Sequence, residues 1–145
     1  MESSRTHKLQ VEGPDHIGIV VKDIDKAKET WSSMFGIGPW DSEIWDGTDA
    51  EGRPFKARLA HAQLGTVRIE LIQTVEGRSP YSSFSDIIGE GVHHISFYVD
   101  DVEAEAANLV AQGAKVLVKG TGGYAYYLEK SGLGITLQLL KTGRI

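Results

Sequence analysis

The chain has 145 residues, of which 41% are hydrophobic and 24% are charged, and its formal net charge is −5 at pH 7. This length fits one compact globular domain. No apolar run approaches the roughly 20 residues that span a bilayer, and no basic block is present, so the composition argues against a membrane protein and a nucleic-acid-binding protein. The same charge pattern favours small-molecule partners. The N-terminus has no apolar stretch of the kind found in signal peptides, which predicts a cytoplasmic location.

Cysteine is absent from the sequence. The chain therefore cannot use a disulfide, a thiolate nucleophile or a cysteine-bound zinc ion. A metal ion, if one is bound, would have to be held by imidazole, carboxylate or amide groups.

Two stretches of the chain are nearly alike: HIGIVVKDIDKA begins at His16 and HISFYVDDVEAE begins at His94. In each, a histidine opens an alternating apolar run that is typical of a strand. An aspartate seven residues later is placed to cap a helix. Gly36 and Gly113 suit the C-termini of these two helices. The repeat predicts that each half begins with a strand and a helix.

Further strands follow each helix. The closing strands are predicted at Gly65 to Gln73 and at Leu133 to Lys141, and they place Glu70 and Gln138 at equivalent positions. Additional strands are predicted at Phe55 to Gln63, Lys115 to Lys119 and Gly123 to Glu129. The sequence therefore predicts an α+β fold of two tandem βαβββ modules, residues 14–75 and 92–141, within a single domain of residues 1–145.

Two polar stretches are interpreted as loops. The stretch IGPWDSEIWDGTDAEGRP is rich in Gly, Asp and Pro, and its Trp40 and Trp45 either line a ligand pocket or subunit contact, or cover the edge of the core. The stretch TVEGRSPYSSFSDIIGEG links the halves, and a short helix is predicted from Tyr81 to Ile88.

Four side chains at corresponding positions of the repeat are candidate metal ligands: His16, Glu70, His94 and Gln138. Taken singly, each has an ordinary structural explanation as a half-buried strand residue. Because strand side chains alternate between faces, His93 is expected to point away from His94. Two imidazoles, a carboxylate and an amide oxygen suit one divalent ion such as Zn, Ni, Co, Mn or Fe. Gln138 either binds the metal weakly or contacts a residue that binds it.

At these residues the chain resembles the vicinal-oxygen-chelate superfamily, and most closely its methylmalonyl-CoA epimerase branch, which is related to lactoylglutathione lyase. PDHIGIVVKDIDKA is similar to the branch's first strand and helix, SPYSSFSDIIGEGVHHISFYVDD to its middle segment, and SGLGITLQLL to its closing strand. The resemblance implies a curved, half-open mixed sheet around a central metal cavity. It also implies a homodimer and a substrate that chelates the metal through adjacent oxygens, such as a CoA thioester.

The ligand order differs from that of the epimerases. Their ligands resemble His and Gln in the first half and His and Glu in the second, whereas this chain has His16 and Glu70 first, then His94 and Gln138. The glutamate expected on a middle strand of their first half is replaced by the stretch RPFKARLA. Glu70 is therefore the candidate base for removing a proton next to a carbonyl, unless it stays on the metal and water or another residue acts.

The remaining candidate site residues have less support than the four candidate ligands at repeat positions. Tyr126 is interpreted as a proton donor, a substrate contact or a packing residue. Lys56 and Arg58, with Arg53, either bind a carboxylate or phosphate of the substrate or are solvated surface. Trp40 is a candidate substrate contact.

The function that the sequence predicts is metal-dependent proton transfer by an epimerase, isomerase or lyase. Three alternatives remain open. One is a lactoylglutathione lyase of the glyoxalase type. A second is an Fe(II) dioxygenase, because two histidines and one carboxylate also form the ligand set of such enzymes. The third is a protein that binds a small molecule without transforming it.

Overall fold

The computed structural model describes residues 6–49, 51–119 and 125–143. The chain divides into two compact units, one formed by His16–His93 and the other by Met1–Asp15 together with His94–Ile145. Each unit has its own strands, helices and apolar cluster. None of the helices in the described ranges has both the length and the apolar composition that crossing a bilayer requires.

The unit His16–His93 contains the first βαβββ module followed by a short helix. Its elements in chain order are β1 (His16–Val20), α1 (Ile24–Phe35), β2 (Asp41–Thr48), β3 (Pro54–Leu64), β4 (Val67–Glu76) and α2 (Ser82–Ile87). The strands lie in the order β2-β3-β4-β1. β1 and β4 are parallel, whereas β2 and β3 are antiparallel neighbours, as are β3 and β4.

The second module has the same plan. Its elements are β5 (Gly91–Val99), α3 (Val102–Ala111), β6 (Lys115–Lys119), β7 (Ala125–Glu129) and β8 (Thr136–Lys141), in the order β5-β8-β7-β6. β5 and β8 are parallel and the other pairs are antiparallel. The predicted repetition of βαβββ is confirmed. Gly123 and Tyr124, which the sequence assigned to a strand, lie outside the described residues.

The stretch interpreted as a loop after α1 contains strand β2, which corrects that interpretation. All eight residues of β2 pair with β3, from Asp41 opposite His61 to Thr48 opposite Pro54. β2 is an edge strand whose residues are mostly exposed, so it does not show the alternation of apolar residues by which a half-buried strand is recognised. Its polar composition is typical of a loop although its backbone is paired.

Both main helices begin at the predicted aspartates. The side chain of Asp23 accepts a hydrogen bond from the Lys26 backbone N–H, and that of Asp101 accepts one from Ala104. α1 ends at Gly36, whose φ of 68° is the left-handed conformation that favours glycine at a helix C-terminus. The two helix starts are equivalent positions of the repeat.

Each helix covers one face of its module's strands. In the first module, Ile24 of α1 belongs to a buried cluster with Ala60, Ile69 and Leu71. Since strand side chains alternate, Glu70 lies on the opposite face from its neighbours Ile69 and Leu71. The helix therefore leaves one face of the strands for polar side chains.

The segment before β1 packs on the second module. Leu9 and Val11 contact its core, and His7 exchanges backbone hydrogen bonds with the Asn108 side chain on α3 at 2.8 and 2.9 Å. The Asp15 N–H also donates to the Ser96 carbonyl, 2.7 Å away. The sequence pattern carried no indication of this packing.

Candidate functional site

His16 and Glu70 meet on the face of the first module that α1 does not cover. β1 and β4 are parallel with Gly18 opposite Glu70, so His16, two residues before Gly18, shares the face of Glu70. The His16 Nε2 lies 3.5 Å from the Glu70 Oε1. Both residues are buried, with exposed fractions of 5% and 7%.

This pair has the chemistry of a metal-ligand pair. Two donors that bind one ion at about 2.1 Å are roughly 3.0–3.4 Å apart in octahedral or tetrahedral geometry. The observed 3.5 Å between the His16 and Glu70 donors is close to that range. A nitrogen and a carboxylate oxygen suit a borderline divalent cation, so His16 and Glu70 could both bind such an ion.

A second histidine, His61, contacts the same carboxylate. It lies on β3 directly opposite Glu70, and its Nε2 is 2.8 Å from Oε2. Its ring also meets the His16 ring edge-on, with centroids 6.3 Å apart. Sequence reasoning missed His61. The tight turn at Gly65 could have identified it, because pairing Leu64 with Val67 and counting back three residues places His61 opposite Glu70.

The second module has a matching arrangement. Ser96 lies opposite Gln138 on parallel strands, and His94 is two residues before Ser96. The Ser96 hydroxyl donates a hydrogen bond to the Gln138 Oε1. Tyr127 lies opposite Gln138 on β7, and its ring meets the His94 ring edge-on with centroids 5.3 Å apart. His94 and Ser96 are fully buried.

The candidate ligands therefore have the same register in both modules. His16 precedes the partner of Glu70 by two residues, as His94 precedes the partner of Gln138. The position opposite the acidic or amide residue on the antiparallel side is His61 in one module and Tyr127 in the other. The two halves are therefore alike in their strand pairing as well as in their sequence.

The adjacent histidines of β5 have different neighbours. His93 packs against Tyr81 and Phe84, with ring centroids 5.0 and 5.4 Å away. His94 instead packs against Tyr127. The alternation of strand side chains accounts for this difference.

Tyr126 lies on the helix-covered face of β7. It belongs to the core cluster with Val99 and Leu139, and its hydroxyl donates to Glu103 on α3. The hydrogen bond to the Glu103 carboxylate raises the pKa of Tyr126 above its ordinary value, and burial adds to the effect. The Tyr126 hydroxyl therefore binds to α3. Tyr127 is the tyrosine that shares a face with Gln138.

The candidate substrate cations are engaged in ion pairs. The Arg58 guanidinium contacts both carboxylate oxygens of Asp25 on α1 at 2.9 and 3.1 Å. This hydrogen-bonded pair lowers the pKa of Asp25 and raises that of Arg58. The Lys56 Nζ lies 3.5 Å from Glu76 and 3.8 Å from Asp46. Arg58 shares the face of Ala60 and α1, opposite to that of His61.

The two tryptophans of the polar stretch have different surroundings. Trp40 packs against the core under α1 and donates from Nε1 to the Ser32 hydroxyl at 2.8 Å. Trp45 meets Phe55 and Tyr81 edge-on, with centroids 4.9 and 6.0 Å apart. Trp40 therefore packs against the apolar cluster of the first module, and its predicted contact with the substrate stays a prediction.

Comparison with known proteins identifies the family. The glyoxalase/bleomycin resistance protein/dioxygenase superfamily matches residues 15–127, most of the chain. The chain belongs to this superfamily, in agreement with the resemblance read from its sequence. The repeated βαβββ plan is the fold that this membership leads one to expect.

The individual proteins that the chain resembles share less than 30% of its residues. Protein YqjC of Bacillus subtilis, described as uncharacterized, is 28% identical over 103 residues, which are 71% of this chain and 69% of that protein. A substituted Streptomyces coelicolor methylmalonyl-CoA epimerase in complex with 2-nitronate-propionyl-CoA is 26% identical, with a TM-score of 0.68 over 93% of this chain and 100% of that one. The epimerase of Mycobacterium tuberculosis is 21% identical, with a TM-score of 0.65 over 97% and 95%, which shows a shared fold.

Proposed function

We propose that the protein is a metal-dependent proton-transfer enzyme, an epimerase, isomerase or lyase, that acts on a small substrate with adjacent oxygens. In this proposal one divalent ion is held by His16 and Glu70 of the first module with His94 and Gln138 of the second. Glu70 is the proposed base. The substrate class is an acyl-CoA thioester similar to methylmalonyl-CoA.

The observation that supports this proposal is the repeated register of the candidate ligands. A histidine and a carboxylate, then a histidine and an amide, occupy equivalent positions on equivalent parallel strands. A chance histidine would not be expected to recur two residues before the partner of the equivalent residue on the closing strand. The burial of His16, Glu70 and His94 adds support, because donors shielded from water attract a cation more strongly than exposed donors do.

The chemistry follows from the donor set. A divalent cation bound there would polarise a carbonyl oxygen of the substrate and stabilise the negative charge that develops when the neighbouring carbon loses its proton. Glu70 is the carboxylate among the four candidate ligands, and in the proposal it leaves its ligand position as the substrate binds and then accepts that proton. A positioned base contributes typically about 10²–10⁴-fold to the rate.

The comparisons support the choice of substrate class. The Streptomyces coelicolor epimerase, 26% identical, is in complex with a propionyl-CoA derivative. Lys56 and Arg58 form ion pairs and Trp40 packs against the core, so their predicted role in substrate binding stays a prediction.

Metal analysis and proton exchange test the proposal. We expect the purified protein to hold one divalent ion per chain after incubation with Zn, Ni, Co, Mn or Fe(II). With methylmalonyl-CoA in D₂O, we expect loss of the proton signal at the acidic carbon, abolished by a chelator and restored by the ion. Absence of a bound ion, or exchange that a chelator leaves unchanged, would contradict the proposal. Isomerisation of a glutathione hemithioacetal without exchange of methylmalonyl-CoA would instead indicate a lyase.

A further inference from the structure

His61 is the histidine of the first module that is not among the candidate ligands, and its position is strictly determined. Residues Gly65 and Thr66 join β3 to β4 between the paired Leu64 and Val67. Gly65 has a φ of 62° at the first position of this two-residue turn, where glycine is favoured. Because so short a turn sets the register, His61 faces Glu70 across the hairpin.

The two oxygens of the Glu70 carboxylate have different partners. The His61 Nε2 lies 2.8 Å from Oε2 of Glu70, while Oε1 of the same carboxylate lies 3.5 Å from the His16 Nε2. A carboxylate that binds a metal is ionised and only accepts hydrogen bonds, so in the proposed site His61 is the donor. One oxygen is thus held from β3, and the other is presented toward His16 on β1.

We propose that His61 is a positioning residue that holds Glu70 by Oε2 and so makes it a ligand through Oε1 alone. This inference rests on the proposed function, since it concerns how Glu70 meets the ion. The low exposure of the two side chains supports it, because water competes little for a hydrogen bond whose partners expose only 14% and 9% of their side-chain surface. Ligand-orienting hydrogen bonds of this kind typically affect metal affinity.

The second module holds its corresponding side chain in a different way. Gln138 accepts a hydrogen bond from Ser96, which lies on the parallel partner strand β5. The position equivalent to Ser96 in the first module is Gly18, which has no side chain to donate. Glu70 therefore receives its support from the antiparallel side, where His61 stands at the position equivalent to Tyr127.

Three variants test the role of His61: His61→Ala, His61→Gln and the control His7→Ala. The control removes a histidine that also pairs with a carboxylate, Glu105 at 3.1 Å, but on the exposed surface of α3. Zinc affinity is measured by competition with a chromophoric chelator, and ligand geometry by the visible spectrum of the Co(II) form. Crystal structures of the metal-free wild type and His61→Ala show whether the carboxylate turns.

We expect His61→Ala to weaken zinc binding about 10- to 100-fold and to change the Co(II) spectrum. In the metal-free crystals, we expect Oε1 of Glu70 to move away from the His16 Nε2. His61→Gln should regain most of the lost affinity, because its amide can donate to the same oxygen. His7→Ala should bind zinc as the wild type does.

The outcomes separate this inference from the proposed function. If the wild type binds no metal, the proposed function fails, and the metal-free crystal structures still decide whether His61 holds Glu70. If the wild type binds zinc and His61→Ala binds it equally well, with an unchanged spectrum, the positioning role is overturned and the proposed function stands. An unmoved Glu70 carboxylate in His61→Ala overturns it as well.

Discussion

Glu70 and Gln138 stand at equivalent positions of the two modules, yet their side chains differ in the property that proton transfer requires. An ionised carboxylate can act as a base, whereas a neutral amide cannot. The modules share their strand register around these residues. In the proposed enzyme, a single residue difference therefore decides which module supplies the base.

Replacement of Glu70 by glutamine separates binding from chemistry. The amide still offers an oxygen, so we expect Glu70→Gln to fold and to retain much of the metal affinity, while deuterium exchange at the acidic carbon falls by about 10²-fold or more. Exchange is measured by NMR in D₂O, and folding by circular dichroism. Full exchange activity in this variant would remove Glu70 from the mechanism.

Gln138→Glu serves as the matched change in the other module. We expect it to fold and to bind the metal at least as tightly, since it adds a negative ligand. The double variant Glu70→Gln with Gln138→Glu recreates the ligand order of the epimerases. If exchange returns in the double variant, the carboxylate works from either module.

Helices α1 and α3 both begin after a capping aspartate, so the contribution of this cap to stability can be compared between the two modules. Asp23 and Asp101 each cap a helix through one side-chain hydrogen bond, at 3.1 and 3.0 Å. Equivalent caps should contribute similarly, because the first turn of each helix has the same backbone groups to satisfy.

We expect Asp23→Ala and Asp101→Ala each to lower the free energy of unfolding by roughly 1 kcal/mol. Asparagine at either position should retain most of the stability, since its side-chain oxygen also accepts the bond. Chemical denaturation measures both pairs of variants. Equal stability of the alanine and asparagine forms would show that the caps contribute little.

The contact between β3 and α1 predicts a pH dependence. Arg58 lowers the pKa of Asp25 below its ordinary 3.8, so the pair stabilises the fold above that pH and the contribution is lost as the pH falls through the lowered pKa. We expect Arg58→Gln to melt a few degrees lower at pH 7, about 3 °C or less for an exposed pair. The difference should shrink below pH of about 4. A difference that is constant from neutral to acidic pH would contradict this origin.

The exposed strand β6 is the feature of the fold that bears on assembly. Among the described residues its partner is β7, and its apolar side chains Val116, Leu117 and Val118 are 36%, 43% and 38% exposed. Edge strands with apolar side chains are commonly covered by another chain. This agrees with the expectation of a homodimer that the family resemblance carries.

We therefore predict a homodimer in solution, and we expect a sedimentation coefficient that corresponds to twice 15.8 kDa. Leu117→Lys should shift the protein toward the monomer if β6 takes part in the contact. A wild-type monomer at micromolar concentration would contradict the prediction, and a dimer unaffected by Leu117→Lys would exclude β6 alone.

The duplication and the elements with a clear local pattern could be predicted from the sequence. The histidine that opens each first strand, the capping aspartates and the strands that carry Glu70 and Gln138 could all be predicted, because periodicity and duplication are visible along the chain. Strand β2 could not, since an exposed edge strand lacks an apolar alternation.

The contacts between residues on neighbouring strands became known only from the three-dimensional fold. His61 contacts Glu70, and Tyr127 rather than Tyr126 shares the face of Gln138, because of how β3 and β7 pair with their neighbours. Arg58 likewise meets Asp25 from a distant part of the chain. Membership of a strand is encoded locally, whereas the face and partner of a side chain depend on register, and a shift of one residue would exchange Tyr126 with Tyr127.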